Sequence, residues 1–363
     1  MKRSIALAFV ALFVFAGSIY ALPAKVANWG LAWSDEFNGT SLDTVNNWYY
    51  DTGAVYNGEQ EKYKRACVEV SNGSLKIWSK QNMYGETYPS GRIDTHDKKI
   101  FTYGYFEAAI QGPVGSGSGA NQNGPCLWSA VWLLGNSINH GVAWPACGEM
   151  ELYEQRTGPQ QYGGTAGDNC FIGTCHYGTG GPIYNSKQYS YTDCLCKGFH
   201  KYGILWDSLY VEYYFDDVLY WGPPNTPSIL QSVNNTAFHA PFYWIINSAV
   251  GGNYQGQNIN QSTFPLHMDL DYVRVYQSSV PVVKNPRAQY APRAFALVNP
   301  SSAQLKVFDL KGKLVADYTG KVRMMRAGEY ALKALSLARS NNVYVVSLYD
   351  NGKCQSQRFV TAK

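Results

Sequence analysis

Charge is scarce in this chain of 363 residues: Asp, Glu, Lys and Arg make up 15% of it, against about 25% in ordinary soluble domains. That poverty excludes coiled coils and long solvated helices, and an aromatic content of 15%, with 29 Tyr and 10 Trp, excludes intrinsic disorder. Long apolar runs are missing too. After one run from Ile5 to Ala16, nothing approaches the roughly 20 apolar residues a membrane span needs. Helical periodicity is absent between Trp29 and Gln277, and tryptophan is absent after Trp244. The net charge of +4 hides a split: residues 281–363 carry 14 basic and 4 acidic side chains, whereas the rest carries 16 and 22. The larger, aromatic-rich part is therefore acidic and would repel phosphate, so a nucleic-acid partner is not expected. Aromatics beyond the needs of a core point instead to flat faces for stacking on sugars or partners.

Residues 1–21 combine Lys2 and Arg3, the short apolar run and small residues at Gly17, Ser18 and Ala21. This is the pattern of a secretory signal peptide cut near Ala21, and the run is too short for the competing reading, a membrane anchor. A secreted or cell-surface protein follows. Eight cysteines suit an exported chain with disulfides. Cys170, Cys175, Cys194 and Cys196 cluster in a loop-rich stretch where at least one bridge is expected, with its pairing open. Zinc is the rival reading. Against it stand the CxC spacing of Cys194 and Cys196 and the immediate succession of Cys175 and His176.

Residues 22–278 alternate short β-rich runs with turn clusters, for example LKIWS (75–79), YGYFEAAI (103–110), LYVEYYF (209–215), FYWIINSAV (242–250) and LDYVRVYQ (270–277). In LYVEYYF the period of two predicts a half-buried strand, while Phe242–Ile246 reads as buried on both faces. Runs of this kind make one all-β domain, most simply two antiparallel sheets packed face to face. The glycine-rich stretch 112–125 reads as a functional rim loop or a disordered one. A linker is expected at 279–299. Residues 300–363 then read as a small second β-sandwich, with a hairpin signal at Asn351-Gly352.

The most informative stretch is Trp144-Pro-Ala-Cys-Gly-Glu149-Met-Glu151-Leu-Tyr-Glu154. Three glutamates within six residues of an apolar strand are costly to bury and repel one another, which is unusual for a strand that merely holds a fold. Glu149 and Glu151 share a face by parity, and Glu154 joins them if one extra residue forms a β-bulge. Cleaving a glycosidic bond with retention needs an ionised carboxylate as nucleophile and a protonated one as acid. Long side chains leaning together along a strand meet that need, and a middle carboxylate can hold the two proton affinities apart. The alternatives are an acidic exposed strand or calcium ligands, although calcium sites usually lie on loops rich in Asp, Asn and Gly.

These residues resemble the signature of glycoside hydrolase family 16 in its bulged form, Glu-x-Asp-x-x-Glu, and WPACGE resembles the laminarinase-type endo-β-1,3-glucanase branch. Further similar stretches follow in the family's order over residues 29–277: Trp33-Ser-Asp-Glu-Phe-Asn-Gly, Gly58-Glu-Gln-Glu-Lys-Tyr63, Ser90-Gly-Arg-Ile93, Tyr103-Gly-Tyr-Phe-Glu107, Leu127-Trp-Ser-Ala-Val-Trp-Leu-Leu134, Asn247-Ser-Ala-Val-Gly-Gly252 and Asp271-Tyr-Val-Arg-Val-Tyr276. The resemblance implies a concanavalin-like β-jelly-roll sandwich with an open cleft on its concave face. It implies Glu149 as nucleophile and Glu154 as acid/base, with Glu151 in the place of the family's Asp, a departure expected to affect rate or pH dependence without abolishing activity. It places Trp144 beside the cleaved sugar, Arg92 and Asn57 on the non-reducing side, and His176 near the leaving group. For Asn57 a plain turn residue, and for His176 a core histidine, are the alternatives. Trp128 is expected in the cleft wall, with Trp132 open between core and cleft. Asn247 faces substrate or is a structural amide. A structural Ca2+ on the convex face is implied at Glu36, Gly73 and Asp271, unless Asp271 simply pairs with Arg274.

The implied activity is retaining endo-hydrolysis of β-1,3 or mixed β-1,3/1,4 glucans such as laminarin or lichenan, without a cofactor for catalysis, by a monomer. Galactan hydrolysis of the agarase or carrageenase kind and non-catalytic glucan binding are the alternatives. The tail resembles the C-terminal sorting domain of type IX secretion cargo, which implies secretion machinery as a partner; a carbohydrate-binding module is its rival.

Overall fold

Alternation of apolar and polar side chains along short β-branched and aromatic runs gives strands with one face for a core, and the larger part of the chain folds accordingly into two stacked sheets, antiparallel except where Lys62–Tyr63 pairs with Pro89–Ser90. The structure, a computed structural model, describes residues 22–52, 56–114, 126–157, 169–179, 181–207, 211–222, 236–254 and 256–278, and four later strands. The stretches expected to be a signal peptide (1–21), the rim loop from residue 115 on and the linker (279–299) lie outside the described residues. By contact pattern the chain divides into two units, Met1–Gln277 and Ser278–Lys363.

In the first unit, one sheet of eight strands runs in the order Ile183–Ser190, Cys170–Tyr177, Glu149–Arg156, Leu127–Gly135, Phe242–Val250, Arg92–Asp94 and Tyr49–Tyr50, with Ile100–Phe101 also pairing with Phe242–Val250. We call it the site sheet. The other sheet, of ten strands among the described residues, is centred on Gly104–Val114 and Leu266–Gln277. Phe106, Ile110, Val273 and Val275 of that outer sheet meet Val131, Leu133, Met150, Leu152, Trp244 and Ile246 of the site sheet in one core. Trp48, Trp206 and Trp244 are among its largest fully buried side chains, which accounts for much of the aromatic excess. No helix among the described residues is long and apolar enough to cross a membrane.

The strand Val211–Phe215 corrects the half-buried expectation. Val211, Tyr213 and Phe215 enter the core, but Glu212 and Tyr214 on the opposite face are buried as well. The segment around Val26 covers them: Val26 packs with Tyr105, Leu205 and Tyr214, and Lys25 reaches Glu212 at 2.5 Å. Sequence periodicity cannot foresee a cover supplied by a remote segment. Cys194 and Cys196 form a disulfide, which fits the bridge expected in that stretch.

In the second unit, four strands pair antiparallel in the order Leu314–Asp317, Gln304–Asp309, Val343–Asp350 and Lys353–Val360. The second β-sandwich expected over 300–363 is represented by this one sheet, and the remaining residues of that stretch lie outside the described ones.

Candidate active site

The strand Glu149–Arg156 carries the anticipated bulge. Against Leu127–Gly135 its register runs Leu134 to Glu149, Trp132 to Glu151 and Ala130 to Glu154, so one extra residue is accommodated between Glu151 and Tyr153. Against Cys170–Tyr177 it likewise slips between Glu151 and Glu154. Leu152 and Tyr153 therefore both turn into the core, as does Met150. Parity is restored, and Glu149, Glu151 and Glu154 share the outward face.

Cross-strand register extends that face into rows. One row runs from Tyr184 through His176 to Glu149. Another runs from Glu151 through Trp132 and Ile245 to Asp94 and Tyr49, and a third from Glu154 through Ala130 and Asn247 to Arg92. The carboxylates thus have an aromatic side and a cationic side.

On the aromatic side, Trp144 is 45% exposed and its ring lies 5.8 Å from that of His176, which lies 5.9 Å from Tyr184, itself 64% exposed. His176 Nε2 is 3.5 Å from Glu149 Oε1, too long for a strong hydrogen bond. Burial pushes the imidazole down to about 4, so it is neutral in ordinary buffers. On the cationic side, Arg92 pairs through Nε with Asp51 at 2.8 Å and lies 5.4–5.8 Å from the ring centres of Trp132, Tyr63 and Tyr56. Two residues before Tyr63, Glu61 is fully buried; its Oε2 accepts from the Val250 amide at 2.8 Å, and burial together with Glu59 pushes its carboxyl up to about 8.

The three glutamates differ in their partners. Burial, then the charge of Glu154, raises Glu149 to about 7, while hydrogen bonds from Trp144 and Glu151 favour its ionised form. Burial raises Glu154 to about 7 as well, opposed by Arg156 and by the Trp128 indole, which donates to Oε1 at 2.9 Å. Glu151 is held well above the usual carboxylate range by burial and by both neighbours, so it keeps its proton and donates to Glu149. Three buried carboxylates cannot all ionise together, and the one with most donors, Glu149, carries the charge.

Trp128, expected in the cleft wall, stands beside Glu154 and donates to it. Trp132, left open by parity, faces outward and donates to Asn247 Oδ1 at 2.8 Å. The other end of that amide donates to the Tyr63 hydroxyl at 3.3 Å, so Asn247 is a buried structural amide that fixes Trp132. Asn57 occupies an exposed turn with φ 55°; its Nδ2 reaches Glu59 at 3.4 Å rather than Arg92. Away from this site, Arg274 takes both oxygens of Glu36, at 2.9 and 2.7 Å, and acts on Asp271, its alternative partner, through its charge. Glu36 also acts on Asp271, whose carboxyl is raised by burial and by that neighbouring charge against the lowering effect of Arg274. Sequence reasoning missed Tyr184, Arg156 and Tyr254. The first lies on an edge strand and the last on a turn, with no motif to mark them.

The model of glycosyl hydrolases family 16 matches residues 54–239. A glucan endo-1,3-beta-glucosidase A1 of Niallia circulans is 31% identical over 69% of this chain, and the match spans 38% of that longer protein. A beta-glucanase of Rhodothermus marinus is 33% identical over 70% of this chain and 87% of its own length. The crystal structure of a laminarinase from Flavobacterium superposes with a TM-score of 0.55 at 32% identity, covering 68% of this chain and all of that one. With its bulged triple-glutamate strand on a two-sheet sandwich, this chain is a member of glycoside hydrolase family 16.

Proposed function

We propose that the protein is a retaining endo-β-glucanase that hydrolyses internal β-1,3 or mixed β-1,3/1,4 linkages. The observation that carries this reading is the unequal partnering of the glutamates on one face. Glu149, hydrogen-bonded by Trp144 and Glu151, attacks the anomeric carbon while Glu154 gives its proton to the departing glycosidic oxygen. Glu154, now ionised, takes a proton from water; the water oxygen attacks the same carbon, and the bond to Glu149 breaks. Both charges of the reaction are met by groups already in place, so no cofactor enters either step. The acidic first unit suits a neutral glucan better than a sulfated galactan. Assays on laminarin, lichenan and agarose side by side test the reading: release of reducing sugar from agarose alone would overturn it.

Glu151 acts as a neutral donor in this scheme. Glu151→Gln keeps a donor in its place and is expected to retain kcat within about tenfold, whereas Glu151→Leu leaves Glu149 without it and falls further. Equal losses in the two variants, measured on laminarin, would remove Glu151 from this role.

A structural Ca2+ at Glu36, the Gly73 carbonyl and Asp271 belongs to the proposal. Two neighbouring carboxylates supply hard oxygen donors, but Arg274 already neutralises Glu36. Calcium must therefore displace the arginine, and Arg274→Gln is expected to gain more thermal stability from Ca2+ than wild type. Equal shifts in calorimetry would count against the site. Export with a tail that serves sorting or surface attachment is likewise proposed, on the signal-like leader and the basic tail. Isoelectric focusing of the secreted protein reads the tail's fate: an acidic band means removal, a near-neutral or basic one retention.

A further inference from the structure

Arg156 lies two residues beyond Glu154 on the same face of the strand and directly opposite Trp128 in register. It is only 5% exposed, and among the described residues no carboxylate forms an ion pair with it. A buried guanidinium is costly unless something nearby uses its charge. Among the described residues it rests on Tyr254: the guanidinium carbon lies 4.1 Å from the ring centre of Tyr254, and Nη1 donates to the Tyr254 carbonyl at 3.4 Å. The Tyr254 ring in turn packs 4.9 Å from that of Trp128, whose indole donates to Glu154. Trp128, Tyr254 and Arg156 thus close around the acid/base, and the cation acts on it through space without pairing.

We propose that Arg156, seated on Tyr254, is a positioning residue for the acid/base: it stabilises Glu154 as an anion during the second half of the reaction and so speeds release of the glycosyl-enzyme. This rests on the assignment of Glu154 above. Glu154 must hold a proton in the first step and be ionised in the second, and a full ion pair would forfeit the first. A cation at one remove allows both. The other titratable or charged groups facing this cluster are Glu149 and Glu151 on the same strand, His176 and Tyr184 from the strands beyond, Tyr254 from its turn and Arg92 from the far side. Glu149 and Glu151 oppose ionisation of Glu154, the imidazole is neutral, and Arg92 acts on Glu149 and Glu151. Arg156 is the cation that acts on Glu154 itself.

The test is the pH dependence of full-length wild type, Arg156→Gln, Arg156→Met and Arg156→Lys on laminarin, with thermal midpoints measured alongside. Loss of the cation makes Glu154 hold its proton longer. The alkaline limb of kcat/KM is then expected to move up by about one pH unit in the Gln and Met variants. At neutral pH their kcat falls about tenfold and a burst of first product appears, because an acid that keeps its proton is a poor base. Arg156→Lys keeps the limb near the wild-type position. If the Gln variant misfolds, the Met variant, which retains bulk against Tyr254, carries the comparison. An unmoved alkaline limb in a folded Gln or Met variant, or a Lys limb displaced as far as theirs, overturns the inference. Absence of hydrolysis by wild type would instead strike the proposed function.

Discussion

Glu149→Gln is expected to lower reducing-sugar release from laminarin by at least about 10³-fold, because the amide cannot form the glycosyl-enzyme and no neighbouring carboxylate is free to replace it. In the proposed scheme Glu154 serves the leaving oxygen, and Glu151 retains its proton. The same variant is expected to be more heat-stable than wild type at pH 8. Glu149 is raised from its ordinary 4.5 to about 7 by burial and by Glu154, so the folded state binds more protons than the unfolded one across that window. The stabilisation is fully present below pH 4.5 and is lost as pH rises through about 7. Glutamine has no proton to lose. Calorimetry at pH 5 and pH 8 should find the wild-type midpoint falling by more than that of Glu149→Gln. Residual activity near the wild-type level, or a midpoint that falls equally in both, would count against Glu149 as the charged centre.

Gly135→Ala is expected to destabilise the first unit by more than about 3 kcal/mol, and by about 10 °C in its thermal midpoint. A Cβ there would lie 1.8 Å from the Cys147 carbonyl oxygen and 2.7 Å from its carbon, both backbone atoms that cannot rotate away. The strand end must shift. It cannot do so quietly, since the Gly135 amide donates to the Gly148 carbonyl at 2.9 Å and so fixes the entry to Glu149. Leu134 and Trp132, opposite Glu149 and Glu151, would move with it. Urea melts and laminarin assays on the same preparation check both effects. A loss under 1 kcal/mol with full activity would show that this loop yields more readily than close packing implies.

The parts of the site written into one strand were legible from the residues. Period two joined Glu149 to Glu151, and the cost of three buried carboxylates made a bulge the economical way to add Glu154. Parity assigns a face but not the sheet that covers it, so Trp132 stayed open until Asn247 and Arg92 were placed beside it. Glu212 and Tyr214 were misread for the same reason, because the segment around Val26 comes from far away in the chain. Arg156 carried no signal at all. Its meaning depends on Tyr254, nearly a hundred residues later, and on a register that no local pattern encodes.

The carboxylate strand is third from one edge of the site sheet. The short side ends on Ile183–Ser190, largely exposed and, among the described residues, paired only with Cys170–Tyr177. Such an edge invites unwanted strand addition, and a lysine at its middle, Lys187, is the usual deterrent. It is also where the molecule has room to grow. A designer seeking a longer grip on the departing part of a polymer would extend the sheet from this margin, leaving the glutamates and their supporting strands untouched.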